Sequence, residues 1–292
     1  MFPGTITALV TPFRDGHVDE PAFTKLIESQ IAAGVDGIVA VGTTGESPTL
    51  SHAEHIRVIE LAVQVAAKRT KVLAGTGSNS TDEAVELTVQ AEKVGADAAL
   101  VVAPYYNKPS QQGLFLHFAK IAEATELPII LYSIPSRCGI EIAVDTVARL
   151  AKDYPTIVGI KEAGGSVERV TLLRCALPEE FGIISGDDAL TLPFIAAGAI
   201  GVISVASNLV PREVGELVRA ALAGRWVDAR QQHCALYPLF KELFIEPNPV
   251  PVKHALALRG EMKSDVRLPL CEMAPAHAAK LEETLRDLKL IK

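Results

Sequence analysis

Lys161 closes the apolar run Ile157-Val158-Gly159-Ile160 and is followed by Glu162-Ala163. An apolar stretch of this length reads as a strand buried on both faces. An ammonium at the end of such a strand costs several kcal/mol to desolvate unless it is paired or gives up its proton. Desolvation lowers the pKa of the group. Part of it is then a neutral amine at pH 7, able to attack a carbonyl and form a Schiff base. A second reading stands beside this one: a lysine that snorkels to water at the sheet edge or pairs with Glu162. Other groups able to do chemistry recur at the ends of similar apolar runs. They are Gly42-Thr43-Thr44-Gly45-Glu46, Gly75-Thr76-Gly77, Pro104-Tyr105-Tyr106-Asn107, Tyr132-Ser133-Ile134-Pro135-Ser136-Arg137, Ser185-Gly186-Asp187-Asp188 and Ser204.

The elements that position these residues alternate regularly. Strand-like runs fall at Thr5–Val10, Gly37–Val41, Lys71–Ala74, Ala98–Val102, Ile129–Tyr132, Ile157–Lys161, Gly182–Ser185 and Gly201–Val205, each followed by a helical candidate. Helix starts are marked by Asp19 before Pro21 and by the patterns Ser51-His52-Ala53-Glu54 and Ser80-Thr81-Asp82-Glu83, which both fit capping boxes; Gly34 closes the first helix. Eight βα units predict an α/β fold, a closed (β/α)8 TIM barrel, with the reacting groups at the C-terminal ends of the strands. An open doubly wound sheet would carry a glycine-rich phosphate turn after its first strand, and Val10-Thr11-Pro12-Phe13 is no such turn. The expected division is a catalytic barrel over 1–224 and a C-terminal helical region over 225–292. That region has helical pattern at about 225–244, 250–259 and 275–289, broken by Glu246-Pro247-Asn248-Pro249-Val250-Pro251. In a barrel, Lys161 points into a ring of hydroxyls and glycine backbone, which favours the carbonyl-attacking amine.

Composition narrows the function classes. The 292 residues are 49% hydrophobic and 22% charged, with a formal net charge of −7. Neither nucleic acid nor an anionic membrane is an expected partner of such a chain. Cys138, Cys175, Cys234 and Cys271 lack metal-ligand spacing and read as free thiols in a reducing cytosol. The N-terminal residues lack the basic segment, apolar core and cleavage site of a secretory leader, and no run of ~18 apolar residues predicts a membrane span. The expected location is cytoplasmic. His52 and His55 lie three apart on a predicted helix, but no acidic or cysteine partner nearby completes a ligand set, so no metal is expected.

The strand-end motifs resemble those of the pyruvate-dependent class I aldolase superfamily, which includes N-acetylneuraminate lyase. Within it they are similar to the dihydrodipicolinate synthase family. The motifs are Gly42 to Glu46, Pro104 to Asn107, Tyr132 to Arg137, Gly159-Ile160-Lys161-Glu162-Ala163 and Ser185 to Asp188. The likeness extends over nearly the whole chain, including Phe244-Ile245-Glu246-Pro247-Asn248-Pro249. The segment Pro135-Ser136-Arg137-x-Gly139 is its family-specific part.

The resemblance implies a lyase that needs no cofactor. It condenses pyruvate with L-aspartate-4-semialdehyde in the diaminopimelate route of lysine biosynthesis. Lys161 would form the imine with pyruvate. The N–H groups of Thr43 and Thr44 would hold the pyruvate carboxylate, as consecutive amides in a turn can. Thr43, Tyr106 and Tyr132 would relay protons. Tyr106 would do so across a tight dimer of a homotetramer built as a dimer of dimers. Arg137 would bind the semialdehyde carboxylate through its planar fork. Gly186 and Ile203 would shape the pyruvate pocket. The resemblance also implies an allosteric site for L-lysine, a feedback inhibitor, lined by Ser47, His52, His55, Asn79, Glu83 and Tyr105. Pro48 stands where lysine-sensitive members often have alanine. Ser133, Ala103 and Gly164 also depart from the family pattern, the first two expected near the site. Competing readings are another pyruvate aldolase, such as N-acetylneuraminate lyase or a keto-deoxy-sugar-acid aldolase, and a non-catalytic amino-acid-binding barrel.

Overall fold

The computed structural model describes residues 1–292. The chain begins with β1 (Gly4–Ala8) and a short antiparallel hairpin, β2 (Phe13–Arg14) and β3 (His17–Val18). Asp15 and Gly16 at its tip both have positive φ, the conformation that a two-residue hairpin turn requires. Then come α1 (Glu20–Ala33), β4 (Gly37–Ala40), α2 (His52–Ala66), β5 (Lys71–Gly75), α3 (Thr81–Lys93), β6 (Ala98–Val102), α4 (Gln111–Ala122) and β7 (Ile129–Ser133). The short α5 (Pro135–Cys138) precedes α6 (Val144–Asp153), β8 (Ile157–Glu162), α7 (Val167–Ala176), β9 (Gly182–Ser185), α8 (Thr191–Ala196), β10 (Gly201–Ser204) and α9 (Pro211–Leu222). Three further helices follow: α10 (Trp226–Glu242), α11 (Val250–Leu258) and α12 (Pro275–Asp287).

All strands except the hairpin pair form one closed parallel barrel, in the order β1-β10-β9-β8-β7-β6-β5-β4. These are the eight strands expected from the sequence, with ends shifted by a residue or two. A strand points successive side chains to opposite faces, so the barrel has two cores. Ile6, Val39, Leu73, Ile130, Ile184 and Ile203 fill the inside. A larger shell of apolar residues joins the outer strand faces to the helices.

Local signals act as read at two helix starts. The Asp19 carboxylate accepts from the N–H of Ala22 and Gly34 closes α1 in the left-handed region, while Ser51 and Glu54 form a reciprocal capping box on α2. The third start differs from expectation. Ser80 makes no side-chain cap on α3, and the Glu83 carboxylate turns instead to the hydroxyl of Ser78 and the ring of His52. Helix α10 packs along α9 and α12, and α11 packs on α12. No helix is long and apolar enough to cross a membrane.

Candidate active site

Register explains the placement of Lys161. Tyr132 on β7 pairs with Lys161 on β8, and Lys161 pairs with Ile184 on β9. Tyr132 and Ile184 belong to the inner core, so Lys161 lies inside the barrel, 6% exposed. Its Nζ stands 4.1 Å from the centre of the Tyr132 ring. Burial brings the amine down to about 7; the Asp188 carboxylate opposes this shift and the Arg137 guanidinium adds to it. Near neutral pH a large fraction of Lys161 is therefore the nucleophilic free base.

Lys161 does not pair with Glu162. One residue along the strand, Glu162 faces outward and is itself fully buried. Its carboxylate accepts from Arg169 Nε at 2.8 Å and from the Gly164 N–H at 2.6 Å. A β-carbon at Gly164 would meet Glu162 Oε1 at 2.6 Å, so a larger residue there would make that carboxylate shift. Arg169 also reaches Glu141 and the carbonyl of Ile142.

A pocket of about 210 Å³ opens at the C-terminal ends of the strands, lined by Thr43, Ser47, Tyr105, Tyr132 and Arg137 among others; Lys161 does not line it and adjoins it through the Tyr132 ring. Burial raises the Tyr132 phenol to about 12, while the Thr43 hydroxyl and the Arg137 charge pull the other way. Thr43 and Thr44 begin a 3-10 turn whose internal bonds come from the N–H groups of Gly45 (to Gly42, 3.0 Å) and Glu46 (to Thr43, 3.1 Å). The amides of Thr43 and Thr44 are thus left outside the turn's own pairing. Just before it, Val41 has φ 52°, a costly conformation for a β-branched residue, and it lines the same pocket. Arg137 forms no ion pair; its Nη2 donates to the carbonyl of Asn248 at 3.2 Å.

Gly186 sits against the lysine stem. A β-carbon there would come 3.0 Å from Lys161 Cε and 2.8 Å from Ala163 Cβ, so glycine is what lets the amine occupy its position. Ile203 belongs to the inner core beside Ile184. Asp188 is buried and caps the turn after β10, accepting from Ser204 Oγ (2.5 Å) and the N–H groups of Val205 (2.9 Å) and Ala206 (3.0 Å).

Tyr106 is the candidate that a single chain does not bring to this cluster. It is 89% exposed, with φ 74°. Ser133 and Ala103 also differ from expectation. Ser133 pairs with the outward-facing Glu162 and its buried hydroxyl has no partner, while Ala103 lies in the outer shell, so neither faces the pocket.

Of the remaining candidates, Ser47 and Tyr105 line the pocket and His55 touches its wall at Gly75. His52 Nε2 meets Glu83 at 2.7 Å, supplying the acidic neighbour that the sequence spacing did not show. His55 Nε2 meets the carbonyl of Gly75 at 2.8 Å, and burial pushes its pKa down. The carbonyl of Asn79 accepts from Asn107 Nδ2 at 2.9 Å. Ser47, Pro48, Tyr105 and Gly75 line the same pocket as Thr43, Tyr132 and Arg137.

Two buried residues of the C-terminal region escape a reading by motif. Asn248 Nδ2 donates to Thr44 Oγ1 at 3.0 Å, and Lys253 meets Glu46 at 2.5 Å. The presence of Asn248 in a family-like segment was the only signal for the first. Nothing in the sequence distinguishes Lys253 from an ordinary helix lysine.

The model of the dihydrodipicolinate synthetase family matches residues 1–288. A 4-hydroxy-tetrahydrodipicolinate synthase from Hydrogenobaculum sp. (strain Y04AAS1) is 53% identical over 291 residues, covering 100% of both chains. The solved structure of 4-hydroxy-tetrahydrodipicolinate synthase from Methylacidiphilum fumariolicum SolV superposes with a TM-score of 0.98 at 58% identity, covering 99% of this chain and 96% of that one. The enzyme from Cyanidioschyzon merolae, solved with lysine bound, has a TM-score of 0.97 at 40% identity, covering 99% of each chain. With a partly neutral lysine inside its barrel and a likeness running end to end, the chain belongs to the dihydrodipicolinate synthetase family.

Proposed function

We propose that this chain is a lyase condensing pyruvate with L-aspartate-4-semialdehyde to 4-hydroxy-tetrahydrodipicolinate, with the covalent intermediate on Lys161. The observation that carries the assignment of the lysine is its buried, partly neutral amine over the ring of Tyr132, which also lines the pocket bounded by Thr43 and Arg137. Lys161 attacks the ketone of pyruvate and water leaves as the imine forms. The amides of Thr43 and Thr44 hold the pyruvate carboxylate. Loss of a methyl proton gives the enamine, whose carbon bonds to the aldehyde carbon of the second substrate. Tyr132, Thr43 and a partner subunit's copy of Tyr106 carry the protons in and out. Arg137 binds the carboxylate of the semialdehyde. The semialdehyde's own amino group then displaces Lys161 and closes the ring. Gly186 and Ile203 shape the pyruvate end of the pocket.

The assembly we propose is a dimer of dimers, in which the exposed Tyr106 completes a neighbour's site. We further propose L-lysine as a feedback inhibitor at Ser47, His52, His55, Asn79, Glu83 and Tyr105. Ser47 and Tyr105 line both sites, which offers lysine a direct path to the catalytic wall. Residues 1–224 serve as the catalytic barrel and 225–292 as a helical brace. Four free thiols suit a reducing cytoplasm.

The test is intact mass after borohydride reduction with pyruvate, with the adduct mapped to a residue. Wild-type protein gains one reduced pyruvate on Lys161 and Lys161→Ala gains none. An adduct of equal yield on another lysine overturns the assignment.

A further inference from the structure

Asn248 lies between α10 and α11, 204 residues along the chain from Thr44, yet the two meet inside the protein. Its carboxamide Nδ2 donates to Thr44 Oγ1 at 3.0 Å, and its backbone carbonyl accepts from Arg137 Nη2 at 3.2 Å. One buried residue therefore touches both the turn assigned to the pyruvate carboxylate and the arginine assigned to the semialdehyde carboxylate. Its Oδ1 is buried without a partner, so packing and a single hydrogen bond hold the side chain. A buried amide in that state carries an unsatisfied acceptor, a cost that an apolar residue would avoid.

We propose that Asn248 is a positioning residue that sets the distance between the two substrate-anion sites, gripping Thr44 with its side chain and Arg137 with its main chain. The role rests on the assignment of those sites given above. Asn248 touches neither substrate and acts through its two neighbours. An aldol condensation needs the enamine carbon and the aldehyde carbon in contact. Anchors in the Thr43–Gly45 turn after β4 and in α5 after β7 that drift independently would lose that alignment.

A double-mutant cycle tests this. Steady-state kinetics are measured for both substrates with wild type, Asn248→Ala, Thr44→Val and the double variant. Asn248→Ala is expected to lower kcat/KM for pyruvate by about 3- to 10-fold, the range for one lost hydrogen bond. In the Thr44→Val background the same substitution should cost pyruvate nothing further, because the contact it removes is already gone. KM for the semialdehyde should change little in either background, because Arg137 meets the main-chain carbonyl of Asn248, which alanine retains. Equal pyruvate penalties in the two backgrounds overturn the proposal. So does a lowered melting temperature with unchanged kinetics for both substrates. Should Asn248→Ala fail to fold, Asn248→Ser enters the same cycle. Borohydride trapping of wild type keeps the outcomes distinct. No adduct on Lys161 defeats the functional assignment, whereas a normal adduct with an inert Asn248 defeats the positioning role alone.

Discussion

The carboxylate of Glu46 and the ammonium of Lys253 meet at 2.5 Å with almost no solvent contact on either side, across 207 residues of chain. The second Glu46 oxygen accepts from the N–H of Arg267 at 3.0 Å. Lys253 and Arg267 both stack on Phe13, at 4.2 and 4.4 Å from its ring centre. Glu46 directly follows the Thr43–Gly45 turn, so this pair fastens the turn to the C-terminal helices. Removing one member of a buried pair leaves a charge with no partner, a loss of about 3–5 kcal/mol. Glu46→Gln and Lys253→Met should each show that loss in urea denaturation. The double variant should recover most of it. Strictly additive losses would mean that the two charges do not interact.

The depressed pKa of Lys161 gives a pH dependence with a defined sign. Folded protein holds this group near 7, against 10.5 as its ordinary value. Between these values the unfolded chain binds more protons, so the lysine's penalty on stability fades as pH rises from about 7 to 10.5. At pH 7 the penalty is on the order of 4 kcal/mol. Lys161→Met should therefore be the more stable protein at neutral pH, with the gap closing by pH 10.5. The rate of imine formation with pyruvate in wild type should climb through pH 7 and level off. A pH-independent gap in stability would show that the amine is not desolvated.

Tyr132→Phe retains the ring over Lys161 and deletes only the hydroxyl. Turnover should fall by ~10²-fold or more, the usual worth of acid–base help. Near-normal kcat would leave the tyrosine with a packing role alone. Tyr106→Phe should behave alike. Hybrids that mix Tyr106→Phe with Lys161→Ala subunits should regain activity if Tyr106 serves a neighbour's site. Absence of any recovery in verified hybrids would place its action within one chain.

Arg137→Ala separates the two anion sites. Losing a hydrogen bond to a charged group costs roughly 1.5–3 kcal/mol, or about 10- to 150-fold in kcat/KM for the semialdehyde. Pyruvate trapping on Lys161 should persist, since its carboxylate rests on the Thr43 and Thr44 amides. Lost trapping with an unchanged semialdehyde KM would reverse the assignment of Arg137.

The barrel was legible because strands buried on both faces are continuous apolar runs, and polar strand ends such as Ser185-Gly186-Asp187-Asp188 punctuate them. The ring of groups around Lys161 followed from that topology, since every strand delivers its last residues to one end. What stayed hidden depends on contacts that no spacing encodes. Lys253 sits in a helix whose sequence is equally compatible with a solvated lysine, and only the position of Glu46 shows otherwise. Glu83 fits the pattern of a cap, but its carboxylate bonds to Ser78 and His52 instead. The β2–β3 hairpin carries its Asp15-Gly16 turn signal openly, but strands of two residues offer no periodicity to read.

Lys161 and Glu162 stand next to each other and face opposite sides of the sheet. Their roles are assigned by counting: odd positions from Gly159 look into the barrel, and even positions look at Arg169 and the helices. Loss or gain of one residue within β8 would exchange them, sending the amine to a slot built for an acid and a carboxylate to the place where the carbonyl arrives. The strand carries one register shift at Val158, ahead of the reacting residues; a further one between Gly159 and Glu162 would invert the two side chains. For this family, a change of length inside the strand would be a sharper sign of lost chemistry than any change of letter beside it.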